Sequence, residues 1–569
     1  MALGLLPLVV SAVTLFVKLG SNFYPVGDIA GTELQVRDVG HHPVLLGLFS
    51  RDGWNHPGPV LFYLLAVPYR LTGSRSIGLL LGALLINGAA ILGMAAIARR
   101  RGGAPLMLLT LLGCGLVVRS LGPEFVRNPW NVWIAVLPFG LLLFLTWEMI
   151  CGSAWALPAG AFVTSFCIET HVGYALLAAP LLLFGTSCLV AQSYQRRQVG
   201  GRRGVRRDRL LPAALVAIGI ITVLWLPPML QQLTTDHGNF GKVVAYFLDD
   251  PGKKAQHTFA EGWRTMSNQF GVRPEWINGH RALSPLSSEP VSLHRAALPV
   301  LLLPFVGVGF AMWHRKDKNA FWLIATVGLT LGLGVVWVAR TLGPVYDYRL
   351  GWIWVVTMLA FVATVWGAWR LVEERVGPII KRALGAACVV ALCAIAVVNA
   401  RDAAKTGTDG YAPQVATLAR QTTSALPRGS GEVIVRCSGD QGCVYSAALL
   451  LWLERRGVVA RVHTSYGLIG SDSAHRVHKH GHVRAVLDVE IATTFGKFDA
   501  AADRPGHRMI GYWGLLPRAE RDRLVQSMSK IRAQREAGTL DKVAFFLESL
   551  DLTHRLSSPA VGVFMTQPR

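Results

Sequence analysis

Eleven apolar runs dominate the sequence, and nothing else in it limits the fold as strongly. They occupy 3–19, 77–97, 104–118, 132–150, 155–168, 172–190, 210–230, 296–312, 320–338, 351–369 and 383–398. Most are long enough to cross about 30 Å of hydrocarbon as helices; two are short and need their flanking residues. Backbone groups in lipid need internal partners, so a chain patterned this way folds as a helical bundle. Composition agrees: 52% of the 569 residues are hydrophobic and 16% charged, against roughly 25% charged in soluble domains. A disordered chain, a disulfide framework and a single soluble domain are excluded. The formal charge of +22 is no argument for nucleic acid, because membrane proteins keep positive charge in cytoplasmic loops.

A twelfth run at 59–71 is too short to span, contains prolines and ends near Arg70, which suits an interfacial or re-entrant helix. Charge decides how it is treated. If it does not span and the N-terminus is cytoplasmic, then Arg99–Arg101, the arginine cluster at 196–209, Arg315 with Lys316 and Lys318, and the basic stretch 370–382 all face inward. This is the usual bias. The outer segments are then 20–75, 119–131, 231–295, 340–350 and everything after Asn399. The run 3–19 lacks a small-residue cleavage site and reads as an anchor.

The chain therefore divides into a transmembrane part, 1–399, and an extracytoplasmic tail, 400–569. In the tail a β-type run at 432–436, helical spacing at 447–456 and a second strand at 458–464 predict a small α/β domain. The amphipathic stretch 517–550 adds helices to it. Six of the eight cysteines sit in or beside apolar runs, as small hydrophobes. Cys437 and Cys443 lie in a polar loop; a disulfide closing a tight turn is the reading, with a metal or redox pair as its rival.

The first outer loop is the densest in chemistry. Asp28 follows the first span at the membrane–water boundary, with Glu33 five residues on. A carboxylate there can take a proton from an attacking hydroxyl; it can equally cap a helix beginning at Ile29. Further along stands Asp52-Gly-Trp54-Asn-His56-Pro-Gly-Pro59, a possible acceptor pocket in which His56 alternatively holds the turn. Glu169 and His171 fall between two spans almost without a loop, where ionisable groups are functional by default. Arg127 and Arg349 (in Tyr346-Asp-Tyr-Arg349) stand at outer ends of spans. A guanidinium suits a phosphate, although headgroup snorkelling gives the same placement. The aromatics of 231–295 either cover a site or form a small core. The stretch His475-Arg-Val-His-Lys-His-Gly-His482 reads as an exposed basic loop rather than a zinc site, since Arg and Lys are interspersed. No phosphate loop, GxSxG elbow or HExxH is present.

Gly27-Asp28 with Glu33, then Trp54-Asn-His-Pro-Gly-Pro-Val-Leu-Phe-Tyr-Leu-Leu65, then the arginines at 99–101, resemble the GT-C superfamily of integral-membrane glycosyltransferases that use polyprenyl-phosphate-linked sugars. The match is close over the first hundred residues and one of general plan beyond them. The tail's placement is similar to that of actinobacterial cell-wall arabinosyl- and mannosyltransferases. The resemblance implies a GT-C-like α-helical polytopic protein of about eleven spans with a C-terminal α/β domain, in a bacterial inner membrane. It implies an inverting transferase moving a hexose or pentose from a polyprenyl-phosphate donor to a glycan or glycolipid in cell-envelope synthesis. Asp28 is then the base and Glu33 a second carboxylate. Arg349, Arg127 and His171 hold the donor phosphate, and Asp52, Trp54, His56 and Glu169 the acceptor. A divalent cation (Mg, Mn or Ca) at the phosphate is compatible with this but not required. The rival is a non-catalytic transporter or assembly scaffold for lipid-linked glycans; a polymerase or ligase leaning on arginine-rich loops is a third reading.

Overall fold

The computed structural model describes residues 2–19, 23–50, 52–199, 209–235, 238–248, 257–278, 291, 293, 298–405, 412–437, 439–463, 471–492, 504–556 and 560–566. The arginine cluster at 202–207 and much of the loop 249–297 lie outside them. The chain divides into two compact units. One is Met1–Gly20, Val39–Leu48 and Asp52–Thr406; the other is Ser21–Asp38, Phe49–Arg51 and Gly407–Arg569.

The described residues of the first unit are mainly helical. Among the described residues, seven of its helices are long and apolar enough to cross a membrane, and four shorter apolar helices accompany them. Together they account for all eleven runs and for the short helix Val60–Leu71. The runs 77–97 and 104–118 belong to a single 45-residue element, Ile77–Leu121, broken at Gly103, where φ is +70°. Only glycine takes that conformation cheaply, and Pro105 stops the first helix from simply continuing. At the break, Arg100 Nε and Arg101 Nε donate to the buried Glu148 carboxylate at 2.7 and 2.9 Å. Asn319 donates to the Arg101 carbonyl at 2.7 Å. The stretch Asn131–Ile150 is 94% buried over its apolar window, whereas Leu210–Thr234 is 11% buried. The latter exposes Leu211, Leu215, Ile218 and Val223, a surface suited to lipid tails.

The second unit is built on a five-stranded sheet of order β2-β1-β3-β5-β4. Its strands are β1 Glu432–Cys437, β2 Ala460–Val462, β3 Val483–Ala492, β4 Arg508–Gly514 and β5 Ala560–Thr566. β1 pairs in parallel with β2 and β3, and β5 runs antiparallel to β3 and β4. The β1–helix–β2 order matches the expected strand–helix–strand unit, and Arg518–Glu536 and Lys542–Leu556 are the amphipathic helices. Cys437 and Cys443 form a disulfide.

The helix Gly27–Asp38, read from sequence as part of the transmembrane section's first loop, packs in this second unit. Ala30 and Leu34 are buried in one core with Val433, Val435, Leu449 and Leu487, and Tyr24 and Val26 pack against it. Apolar residues at i and i+4 give the helix a stripe that must be covered, and the α/β core covers it.

Candidate functional site

In the first unit the loop after Gly47 and the turn at 169–173 are laced together by backbone. Gly47 N–H donates to the His56 carbonyl and His56 N–H to Leu48, both at 2.9 Å, while Gly58 N–H donates to the Glu169 carbonyl at 3.3 Å. The His56 and His171 rings lie 4.7 Å apart. His56 Nδ1 accepts from Val172 N–H at 3.3 Å, and His171 Nδ1 accepts from Gly173 N–H at 3.2 Å. A neutral imidazole that accepts at Nδ1 carries its proton on Nε2, so each ring offers one Nε2–H. Burial pushes His56 well below the ordinary histidine range, and electrostatic repulsion from His171 and Arg349 toward a second proton adds to this. Desolvation, with Arg349, pushes His171 down to about 3.

The sign of the pH effect follows. Unfolded, each imidazole takes a proton near pH 6.5; folded, both stay neutral well below that. The folded chain therefore binds fewer protons, and stability that is complete above about pH 6.5 declines as pH falls toward 3. In nanodiscs the thermal midpoint should drop between pH 7.5 and 5, and the double variant His56→Asn, His171→Asn should flatten that slope. Parallel slopes would rule this out.

Glu169 is fully buried, and neither carboxylate oxygen meets hydrogen-bond geometry with a described residue. It lies beside the backbone N–H of Val60, at the start of Val60–Leu71, where a helix N-terminus favours negative charge. A Cβ on Gly58 would collide with its Cγ, Cδ and Oε2, which explains the glycine in His-Pro-Gly-Pro. Gly58→Ala should cost about 1–3 kcal/mol through overpacking, read as a lower thermal midpoint. An unchanged midpoint would mean that the carboxylate moves freely aside.

Around these groups stand aromatics. Trp54 packs edge-on against His56 at 5.3 Å and meets Tyr246 at 5.6 Å. Asn55 and Asn239 exchange two 2.8 Å bonds between backbone and amide. Arg349 lies over Tyr346 and Tyr348 at 5.6 and 5.7 Å, and Tyr348 packs on Trp130 at 5.2 Å. No carboxylate among the described residues forms an ion pair with Arg349, and none accepts from either imidazole Nε2. Buried Arg127 lies 3.6 Å from exposed Glu124, three residues before Trp130. Asp52 is exposed. The structure thus brings together Trp54, His56, Glu169, His171 and Arg349. Trp130, Asn239 and Tyr246 come from distant segments, and of these only Asn239 carries no signal in the sequence. The loop aromatics divide: Tyr246 joins Trp54, while Phe270 and Trp276 pack on Phe361 as core.

This donor set fits an anion. A hard dication takes oxygen ligands; here it would meet one carboxylate, a guanidinium and two N–H donors. The cluster around Arg349 therefore does not fit a resident Mg, Mn or Ca ion.

No protein-family model matches the chain, and no curated protein is similar to it. Among solved structures, ArnT from Cupriavidus metallidurans bound to undecaprenyl phosphate superposes with a TM-score of 0.52 at 13% identity. The match covers 89% of this chain and 94% of that one. The chain has the fold of ArnT. The apo state of ArnT gives 0.50 at 14% identity with the same coverage. An Archaeoglobus fulgidus oligosaccharyltransferase in complex with Zn and sulfate gives 0.44 at 10% identity, over 98% of this chain and 88% of that one. The ArnT likeness is one of fold; the apolar helices and the five-stranded sheet bear out a polytopic helical architecture with a C-terminal α/β domain.

Within this ArnT-like fold, Asp28 and Glu33 both lie in the second unit. Asp28 occupies the first turn of Gly27–Asp38, half-buried; the helix starts at Gly27, two residues earlier than a cap at Asp28 would place it. Glu33 is fully buried and ion-paired with Arg455. The histidine-rich stretch is not an exposed loop along its length. Arg476, 2% exposed, donates to Asp38 Oδ1 at 2.9 Å and to Glu454 Oε1 at 2.6 Å. His475 lies 3.4 Å from Asp38, and His478 Nδ1 lies 2.7 Å from Glu432. Those carboxylates come from remote parts of the sequence.

Proposed function

We propose that this protein is an inverting glycosyltransferase that moves a hexose or pentose from a polyprenyl-phosphate donor to a glycan or glycolipid acceptor. In this reading it works on the outer face of a bacterial inner membrane, with its N-terminus cytoplasmic and its α/β domain outside, in cell-envelope synthesis of the arabinosyl- or mannosyltransferase kind. The observation that carries the reading is Arg349 beside two neutral imidazoles whose Nδ1 atoms are already occupied. The guanidinium and the His171 Nε2–H suit a departing phosphate monoester, which leaves the His56 Nε2–H to the acceptor. A lipid surface on the adjacent helices suits the donor's chain.

In the step itself the acceptor oxygen bonds to the anomeric carbon from the face opposite the phosphate. The anomeric C–O bond breaks, its electron pair leaves with the polyprenyl phosphate, and the hydroxyl proton passes to Asp28. Arg349 and His171 take up the charge that develops on the leaving phosphate, and Arg127 adds positive charge. Trp54, His56, Asp52 and Glu169 hold the acceptor by stacking and hydrogen bonds. Glu33 supports Asp28 from the same helix.

The test uses purified full-length protein in nanodiscs, extracted membrane glycolipids and a panel of polyprenyl-phosphate-linked pentoses and hexoses. Mass spectrometry should find one sugar added, with inverted anomeric configuration. Tight donor binding without any transfer would replace this reading with the transporter.

A further inference from the structure

Asp28 does not sit on a loose loop. Its helix is bound to the α/β domain by three polar ties along its length, each reaching across most of the sequence. Arg455 pairs with Glu33. Gln35 Nε2 donates to the buried Ser473 hydroxyl at 3.0 Å. Arg476 bridges Asp38 to Glu454. Burial alone would raise Asp38, but hydrogen bonds from His475 and Arg476 outweigh it and hold the carboxyl below its ordinary range.

We infer that the C-terminal domain is the part that orients the proton acceptor: Arg455 through Glu33, and Arg476 through Asp38, are positioning residues for Asp28. This rests on the reading of Asp28 as base. Helix geometry supplies the mechanism. Residues five apart are separated by about 7.5 Å along the axis and about 140° around it. A helix whose Glu33 is held inward therefore turns Asp28 away from the core, as its half-buried state reflects. Rotation or fraying of the helix would move the carboxylate off its line to the acceptor hydroxyl, and a misplacement of 1 Å can cost about a hundredfold in rate. The domain thereby has a part in the rate of transfer.

The experiment compares wild type, Arg455→Gln, Arg455→Lys and Asp28→Asn as full chains in nanodiscs, using the donor that turns over in the sugar panel. Arg455→Gln should raise hydrogen exchange in 27–38 and lower kcat ten- to a hundredfold, with the donor KM within twofold of wild type. Arg455→Lys, which keeps the charge, should recover most of that loss. If Arg455→Gln does not fold, Glu33→Asp takes its place, with an expected three- to tenfold fall in kcat. A folded Arg455→Gln protein with faster exchange but wild-type kcat overturns the inference and leaves the base reading standing. Wild-type turnover by Asp28→Asn overturns the base reading, and the inference with it.

Discussion

Asp28→Asn should lower transfer by about a thousandfold and leave donor binding intact. General-base assistance contributes roughly 10²–10⁴ in rate, and an amide cannot take the acceptor's proton. The variant is nearly isosteric, and Asp28 lies in the first turn of its helix, so the fold survives. The loss of one carboxylate near a helix N-terminus costs stability by only about 0.3–1 kcal/mol. The prediction is thus a split: turnover collapses, while donor affinity measured with undecaprenyl phosphate and the thermal midpoint hardly move. Retained turnover would transfer the chemistry to another carboxylate. A parallel loss of turnover and donor affinity would place Asp28 in donor binding.

Arg476→Met should be the most damaging single change to the second unit. The guanidinium is 2% exposed and answers two carboxylates, Asp38 and Glu454. Removing it leaves Asp38 with His475 alone and Glu454 without its arginine; breaking a buried pair in this way costs about 3–5 kcal/mol. For a unit of this size that corresponds to a fall on the order of 10 °C in its midpoint. A further replacement of Asp38 by Asn should recover part of the loss, because one stranded charge is then gone. A midpoint within 1 °C of wild type would mean that water reaches the acids and that the arginine is dispensable.

The membrane architecture was legible in the sequence because its signal is local. Each apolar run states its own length and hydrophobicity, and even the break between 97 and 104 shows as Gly-Gly-Ala-Pro. The pair Cys437 and Cys443 was legible for the same reason: its members are six residues apart. What sequence could not show was partnership at a distance. Nothing near Glu33 names Arg455, so the first-loop helix read as an appendage of the first span. The stretch at 475–482 read as solvated basic loop because its acids stand at 38, 432 and 454. Within the candidate site, His56, Glu169, His171 and Arg349 were legible as ionisable residues at the ends of spans. Asn239 was not, since an amide in a loop carries no mark of what it will face, and of the loop aromatics the sequence could not say that Tyr246 would meet Trp54 while Phe270 and Trp276 joined the core.

The ion pair between Glu33 and Arg455 joins residues separated by 422 positions. A ribosome adding roughly 5–20 residues per second takes about 20–85 s to cover that interval. For that time the helix bearing Asp28 has been made and its partners have not. The helix Gly27–Asp38 is made long before the residues it packs on, and it settles only when partners 422 positions further along have been added. A nascent or truncated chain can insert its apolar runs and still leave this helix without the partners it packs against.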